Sequence, residues 1–167
     1  GQKSDGSGYV DDKSDAPFSF VAPKATSTNA GMLNVSLDAS SPSTRIVAGG
    51  STNETIGVFK FSATSENVKL EKINFVADYY RFSPSDISQI AIWDGATQVA
   101  AFSVSPSHRQ GEIGYVTPVH LTNPILIPQN STKTLTFKAN FTKIGLGEPG
   151  TSGHSIQMGV AGAEGTG

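Results

Sequence analysis

The stretch from Thr132 to Phe141 has an apolar side chain at every second position over most of its length. Because successive side chains of a β-strand point to opposite faces, a period of two buries one face and leaves the other in water. An α-helix cannot use this pattern, since its faces repeat every 3.6 residues. The segment therefore predicts a half-buried β-strand, and similar alternation along most of the chain predicts an all-β protein. The alternating apolar residues are Leu135, Phe137, Ala139 and Phe141.

The composition agrees with one sheet-rich domain. A chain of 167 residues suits a single core, and 18 glycines with only 16% charged residues are typical of strands and turns. The formal net charge of -2 indicates no cationic surface for nucleic acid, and no run of residues has the length and apolarity of a membrane span. We therefore expect neither a nucleic-acid partner nor a membrane span.

About nine candidate strands are separated by turn signals, and two details of their register are predictable. Between residues 68 and 77 the apolar phase slips by one position, which predicts a bulge near Glu71 and Lys72. Asp94-Gly95 separates two apolar runs, which predicts a hairpin. The spacing of the turns favours an antiparallel β-sandwich, immunoglobulin-like or jelly-roll-like. The other candidate strands are 32–37, 57–64, 90–93, 98–104, 115–121, 125–127, 133–141 and 154–160.

The N-terminal segment differs in composition from the rest of the chain. Residues 1–16 are largely Gly, Ser, Asp and Lys, which is typical of a tail or linker. A proline-bounded strand follows, with Phe18, Phe20 and Ala22 on one face. This strand either pairs within its own domain or extends as an arm that adds a donor strand to the sheet of a neighbouring molecule. The predicted division is a tail with a candidate donor strand at 1–28 and a β-sandwich domain at 29–167.

Residues 56–141 carry the phrases GVFKFSAT, VKLEKINF, IAIWDGATQV and ILIPQNSTKTLTFKA in this order. This half of the chain resembles the immunoglobulin-like β-sandwich modules of large prokaryotic surface proteins. The resemblance implies an extracellular or cell-surface location and a structural or adhesive role, with no catalytic residue to transfer. The N-terminal arm is similar to the arms of secreted donor-strand filament subunits. That similarity implies an open head-to-tail homopolymer, such as a pilus.

Few residues suggest chemistry. His108, His120 and His154 are widely separated, and neither zinc-ligand spacing nor a nucleophile elbow accompanies them, although a serine near His108 is conceivable. Asp78 and Asp86 flank an aromatic loop without a second acidic pair. The four aspartates of the N-terminal tail do not follow the spacing of an EF-hand, and the chain has no cysteine. We expect no enzyme activity, no bound metal and no cofactor.

Four N-x-S/T sequons are candidate sites for covalent glycans. Two of them fall on outward strand positions and two in turns, so all four are expected to avoid the core. An ordinary hydrophilic surface explains these asparagines equally well. The sequon residues are Asn34, Asn53, Asn130 and Asn140.

Three aromatic residues, Tyr79, Tyr80 and Trp93, are candidate stacking platforms for a carbohydrate ligand. The competing interpretation of the tyrosines is that they cap an open end of the sandwich, in a loop that holds one helical turn. The sequence thus leaves three functions open: a filament subunit, one module of a tandem cell-surface adhesin, and a carbohydrate-binding sandwich. Because the chain starts without Met or a signal peptide, we expect it to be processed or cut from a longer protein.

Overall fold

A computed structural model of the chain describes residues 32–78, 82–111 and 114–167. Within these ranges nine β-strands and two short 3-10 turns, at Pro84–Asp86 and Pro106–His108, make up the regular structure. The strands are β1 (Met32–Leu37), β2 (Glu54–Thr64), β3 (Val68–Ala77), β4 (Ile87–Asp94), β5 (Thr97–Phe102), β6 (Arg109–Gln110), β7 (Gly114–Ile127), β8 (Thr132–Phe141) and β9 (Met158–Thr166).

The strands form two sheets that pack face to face. One sheet has the order β1-β2-β8-β4-β5 and the other has the order β6-β7-β3-β9. Every pair of neighbouring strands is antiparallel. The predicted fold class, an all-β antiparallel sandwich of about nine strands, is therefore confirmed.

Strand β8 lies at the centre of the larger sheet and places its apolar face in the core. Leu135, Phe137 and Ala139 have no exposed surface, and the polar residues between them face outward. The ring of Phe137 packs edge-on against Phe59 of β2 with centroids 5.0 Å apart, and it stacks on Phe75 of β3 at 6.3 Å. Phe137 thus joins the two sheets through aromatic contacts.

Both predicted details of register are confirmed. The ladders that join β3 to β7 and to β9 each shift between Leu70 and Lys72, which is the bulge expected near Glu71. The hairpin of β4 and β5 turns through Gly95, whose φ of +58° lies in the left-handed region where glycine has no steric penalty.

Two predicted strands, 115–121 and 125–127, are one strand, β7. Its ladder to β3 passes from the pair Lys72 and His120 directly to the pair Leu70 and Ile125. Residues 121–124 therefore form a wide bulge opposite a single residue of β3. Asn123 and Pro124 look like a turn in the sequence, but the sheet accommodates them without ending the strand.

The last strand also departs from its prediction of 154–160, since β9 begins at Met158 and continues to Thr166. Before Met158, the carbonyl of Gln157 still accepts a hydrogen bond from the N–H of Asp78 at 2.9 Å, and the side chain of His154 contacts Asp86. The candidate donor residues Phe18, Phe20 and Ala22 lie outside the described residues, as do Tyr79 and Tyr80. The assignment of residues 1–28 to a tail stays a prediction.

Replacing Phe137 by alanine tests the central role of β8. We expect Phe137→Ala to lower the free energy of unfolding by about 3–5 kcal/mol, because it removes a fully buried ring from between the sheets. Urea denaturation measures the loss. Thr134→Ala, at an exposed position of the same strand, is the control and should cost less than about 1 kcal/mol. Equal losses in the two variants would contradict the assigned faces.

The attachment of β9 to β3 has a predictable pH dependence. Lys72 Nζ lies 2.6 Å from Glu164 Oε1, and the hydrogen bonds from Lys72 and Asn74 lower the pKa of Glu164 below its ordinary value of 4.5. Because the pKa of Glu164 is lower in the folded state than in the unfolded state, the carboxylate stabilises the fold fully at pH values above the unfolded-state pKa. This contribution is lost as the pH falls through the folded-state pKa. Urea midpoints at pH 7 and pH 3 should therefore differ less in Glu164→Gln than in the wild type. Identical differences would refute this role.

Candidate functional site

A groove of about 890 Å³ opens at the end of the sandwich where β1 stops, and we call it the end groove. Its walls are residues 41–49, from the loop after β1, and residues 150–158, which lead into β9. Its floor includes Ile56 and Phe59 of β2 and Phe141 of β8. The end groove therefore lies between the two sheets rather than on the face of either one.

The end groove exists because β1 is shorter than its neighbour β2. Leu37, the last residue of β1, pairs with Phe59, but β2 begins five residues before Phe59, at Glu54. The chain after Leu37 leaves the sheet and satisfies the exposed backbone of β2 irregularly. Ser41 Oγ contacts both the nitrogen and the oxygen of Val58 at 2.8 Å. Before Phe59, no strand of the described residues pairs with β2 along the edge that β1 occupies further on.

The rim of the end groove is apolar and exposed. Six large apolar side chains are exposed among the described residues, and three of them, Leu37, Ile46 and Ile144, line this groove. Ile56, Phe141, Ile156 and Met158 are partly buried and continue the apolar surface down to the core. Exposed apolar patches of this kind mark sites that bind a protein or another apolar ligand.

Asp86 anchors one wall of the end groove. Its carboxylate is only 5% exposed, and it is the single buried charged residue in the described part of the chain. Oδ1 accepts a hydrogen bond from the backbone N–H of Thr151 at 2.9 Å. Oδ2 accepts one from the N–H of Ser83 at 2.8 Å and lies 2.6 Å from Nδ1 of His154. A buried carboxylate is stable only with such partners, so Asp86 fixes the segment that contains Thr151 and His154.

The local sequence explains why Asp86 is available for this task. Ser83, Pro84 and Asp86 form a capping box, in which Ser83 caps the 3-10 turn and Asp86 bonds back to the Ser83 backbone. The helical turn predicted in this loop is confirmed. Phe82 is buried and packs edge-on against Tyr115 at 5.8 Å, so Phe82 caps the core at this end.

The contact between Asp86 and His154 was not predicted, because 68 residues separate the two side chains. The capping-box pattern was the available signal, but it predicts a local turn and not a distant partner. His108 contacts the hydroxyl of the buried Thr117 at 3.0 Å rather than a serine, and His120 lies exposed on β7. The described residues contain no group of three or more His, Cys, Asp or Glu side chains that could hold a metal ion.

Trp93 lies near the end of β4, and the two candidate tyrosines are outside the described residues. Asp78 and Phe82, which flank residues 79–81, are at the end of the sandwich where β4 begins, and Trp93 is six residues along β4 from Ile87, about 20 Å away. Lys138 Nζ lies 4.9 Å from the centroid of the Trp93 ring, which is cation–π geometry. Within the described residues, the buried indole Nε1 has no hydrogen-bond partner. A stacking platform shared by Trp93 with Tyr79 and Tyr80 stays a prediction.

The four sequon asparagines all lie off the core. Asn34 is exposed on β1, and Asn53 and Asn130 are exposed in turns with φ near +55°. Asn140 is half-buried, and its Oδ1 accepts a hydrogen bond from the N–H of Asn53 at 2.8 Å. The predicted outward positions of Asn34 and Asn140 are therefore correct, and glycosylation itself stays a prediction.

The structure thus defines the class of protein as a two-sheet antiparallel β-sandwich with an apolar groove at one end. Comparison of the chain with protein families, curated proteins and solved structures gave no match. Among the described residues no helix is long and apolar enough to cross a membrane. The resemblance to surface modules and filament subunits accordingly stays a prediction, and the site has to be interpreted from its own geometry.

Replacing Asp86 by asparagine tests whether its carboxylate anchors the groove wall. We expect Asp86→Asn to lower the free energy of unfolding by about 1–3 kcal/mol, because the new amide turns a donor toward the N–H of Ser83 or Thr151. Chemical denaturation measures the loss. Asp38→Asn is the control, since the hydrogen bonds that this exposed carboxylate accepts from the described residues come from Ser40 alone, and it should matter less. Two equally stable variants would show that Asp86 is not an anchor.

Proposed function

We propose that this protein is a structural subunit of an extracellular filament or surface array. An N-terminal segment of one copy enters the end groove of the next copy and completes its sandwich. The observation that carries this proposal is the exposed apolar rim formed by Leu37, Ile46 and Ile144 above a partly buried floor. Leaving this surface in water is unfavourable, and covering it stabilises an assembly.

The candidate donor segment has the chemistry that such a groove binds. In an extended strand, Phe18, Phe20 and Ala22 share one face, and successive members of this set are about 6.8 Å apart. Two rings on one face match an apolar floor, and the flanking Pro17 and Pro23 limit the segment to extended conformations. A groove of about 890 Å³ is within the size range of sites that bury most of a ligand's surface.

The free edges of the sheets favour strand addition on the same side of the sandwich as the end groove. Within the described residues, β7 is nearly an edge strand, because β6 pairs with only two of its residues on one side. β7 contains Pro118 and Pro124. Prolines protect an edge because they donate no backbone hydrogen bond. The edge strands β1, β5 and β9 contain no proline, and of these three β1 and β9 have ends that adjoin the groove.

The position of β1 favours a second molecule as the donor. The chain enters β1 at Met32, which pairs with Thr64, and runs toward the groove at Leu37. The chain's own segment would therefore have to reverse and pass about 17 Å along β1 to reach its own groove. The nine residues between Ala22 and Met32 span at most about 30 Å, so insertion within one molecule is the competing arrangement. Insertion between molecules produces an open head-to-tail polymer.

The remaining predictions fit this proposal as secondary features. An extracellular subunit can carry glycans at Asn34, Asn53, Asn130 and Asn140, all of which lie off the core. A tandem cell-surface module would have the same fold, but it leaves the apolar rim unexplained. The carbohydrate-binding alternative rests on Trp93, whose ring lies against Lys138.

Two matched double variants of the full chain test the role of the arm. We expect the wild type to assemble as its concentration rises and Phe18→Asp/Phe20→Asp to stay monomeric, because the charges cannot enter an apolar groove. Ser19→Asp/Val21→Asp adds the same charge on the opposite face of the strand and should still assemble. Light scattering coupled to size-exclusion chromatography and electron microscopy measure the assembly. A wild type that stays monomeric at high concentration would refute the filament.

A mixing experiment separates exchange between molecules from insertion within one. Ile46→Asp places a charge on the groove rim and disables the acceptor, whereas Phe18→Asp/Phe20→Asp disables the donor. Each variant alone should remain monomeric, and an equimolar mixture should form a 1:1 heterodimer through the one intact junction. Monomers in the mixture would show that the segment does not join two molecules.

A further inference from the structure

We propose that His154 is the polar recognition residue of the end groove, and that it binds a carboxylate on the inserted strand. Resting on the function proposed above, this inference names Asp15 of a second copy as the partner. Asp15 is the acidic residue nearest in sequence to the apolar residues of the donor segment. The pairing also sets the direction in which the strand enters the groove.

The first step in the argument is that the imidazole of His154 is oriented and has one nitrogen left. Nδ1 lies 2.6 Å from Oδ2 of Asp86, and the imidazole is about one-third exposed at 33%. Asp86 is itself fixed by the N–H groups of Ser83 and Thr151, so the ring is held by a rigid partner. Among the described residues, Nε2 has no hydrogen-bond partner. In the protonated ring both nitrogens donate, one to Asp86 and the other to an incoming acceptor.

The second step is that His154 is the ionisable side chain of the groove with a ring nitrogen left unbonded by the described residues, whereas the charge of Arg45 is already paired with a carboxylate. Of the side chains that line the end groove, Arg45, Asp86 and His154 are ionisable. Asp86 is buried, and Arg45 already donates to a carboxylate oxygen of Glu54 at 2.7 Å and to the carbonyl of Thr55 at 3.1 Å. An occupant therefore meets a lining of apolar, Ser and Thr side chains with one oriented imidazole at its wall. This combination selects a strand that is apolar on one face and carries an anion nearby.

The third step is that the donor segment has this distribution of charge. Residues 1–16 contain four aspartates and two lysines, whereas the residue beyond Pro23 is Lys24. Asp15 stands three residues before Phe18, about 10 Å away in an extended chain. With Asp15 beside His154, the N-terminal end of the strand lies at the Thr151–Met158 wall and Lys24 lies away from the imidazole. The opposite direction would bring a cation to this position.

A double-mutant cycle on a single junction tests the pairing. The acceptor is the full chain with Phe18→Asp/Phe20→Asp, so that its own arm cannot compete, and the probe is a fluorescent peptide of residues 14–26. We expect His154→Gln in the acceptor, or Asp15→Asn in the peptide, to weaken binding about fivefold each. The two changes together should weaken it no further than one alone. Fluorescence anisotropy gives the four dissociation constants.

Two controls make the outcome specific. Asp15→Glu in the peptide keeps the carboxylate and should restore most of the affinity. His120→Gln changes an exposed histidine on β7, away from the groove lining, and should leave binding unchanged. Because the peptide variants leave the protein untouched, the Asp15 half of the cycle does not depend on the folding of His154→Gln.

The failure of this inference is distinguishable from the failure of the proposed function. If the peptide binds but neither Asp15→Asn nor His154→Gln changes the dissociation constant, the pairing is wrong and strand insertion stands. The same holds if the two changes weaken binding independently, so that their factors multiply in the double variant. If the peptide does not bind and the donor-disabled and acceptor-disabled chains form no heterodimer, both proposals are wrong.

Discussion

The architecture depends on the burial of two apolar sheet faces against each other. Phe137 on β8 contacts Phe59 in its own sheet and Phe75 in the opposite sheet, so one ring connects both layers. Because alternate side chains of each strand enter this core, a shift of one residue would move a whole apolar face into water. The bulge beside Glu71 shows how the chain satisfies this constraint where its own pattern slips. The core determines the register, and the register determines which residues reach the ends of the sandwich.

The end groove is a consequence of unequal strand lengths. β1 pairs only as far as Phe59, and the start of β2 is left with irregular cover from the following loop. The apolar residues there range from the buried Phe59 to the partly buried Ile56, and the exposed Leu37 and Ile46 lie beside them in the groove. On the other side of the opening, Asp86 holds the segment before β9 through Thr151 and His154. An opening with exposed apolar side chains and one polar, rigid wall is suited to an inserted strand that has apolar residues on one face and a charged residue nearby. This match is the physical basis of the assembly that we propose.

The sequence predicted much of the fold and little of the site. Alternation located β8, the slip at Glu71 and the hairpin at Gly95, because each depends on neighbours a few residues apart. It divided β7 in two, since Pro124 resembles a turn until a sheet accommodates it. The candidate residues on outward phases, Asn34 and Asn140, were placed correctly for the same local reason. The partnership of Asp86 with His154 could not be predicted, because no local rule relates side chains 68 residues apart.

By itself, the sequence determined that the chain forms strands, which face of each strand is apolar, and that its N-terminal segment could serve as one more strand. These are properties of local periodicity and turn chemistry, which do not depend on what the strands pack against. Only the tertiary structure decided where the sandwich is incomplete. The position of the opening depends on how far β1 pairs along β2. It also depends on which distant residues the carboxylate of Asp86 holds at that end of the sandwich. Both are set by packing between segments that are far apart in the chain.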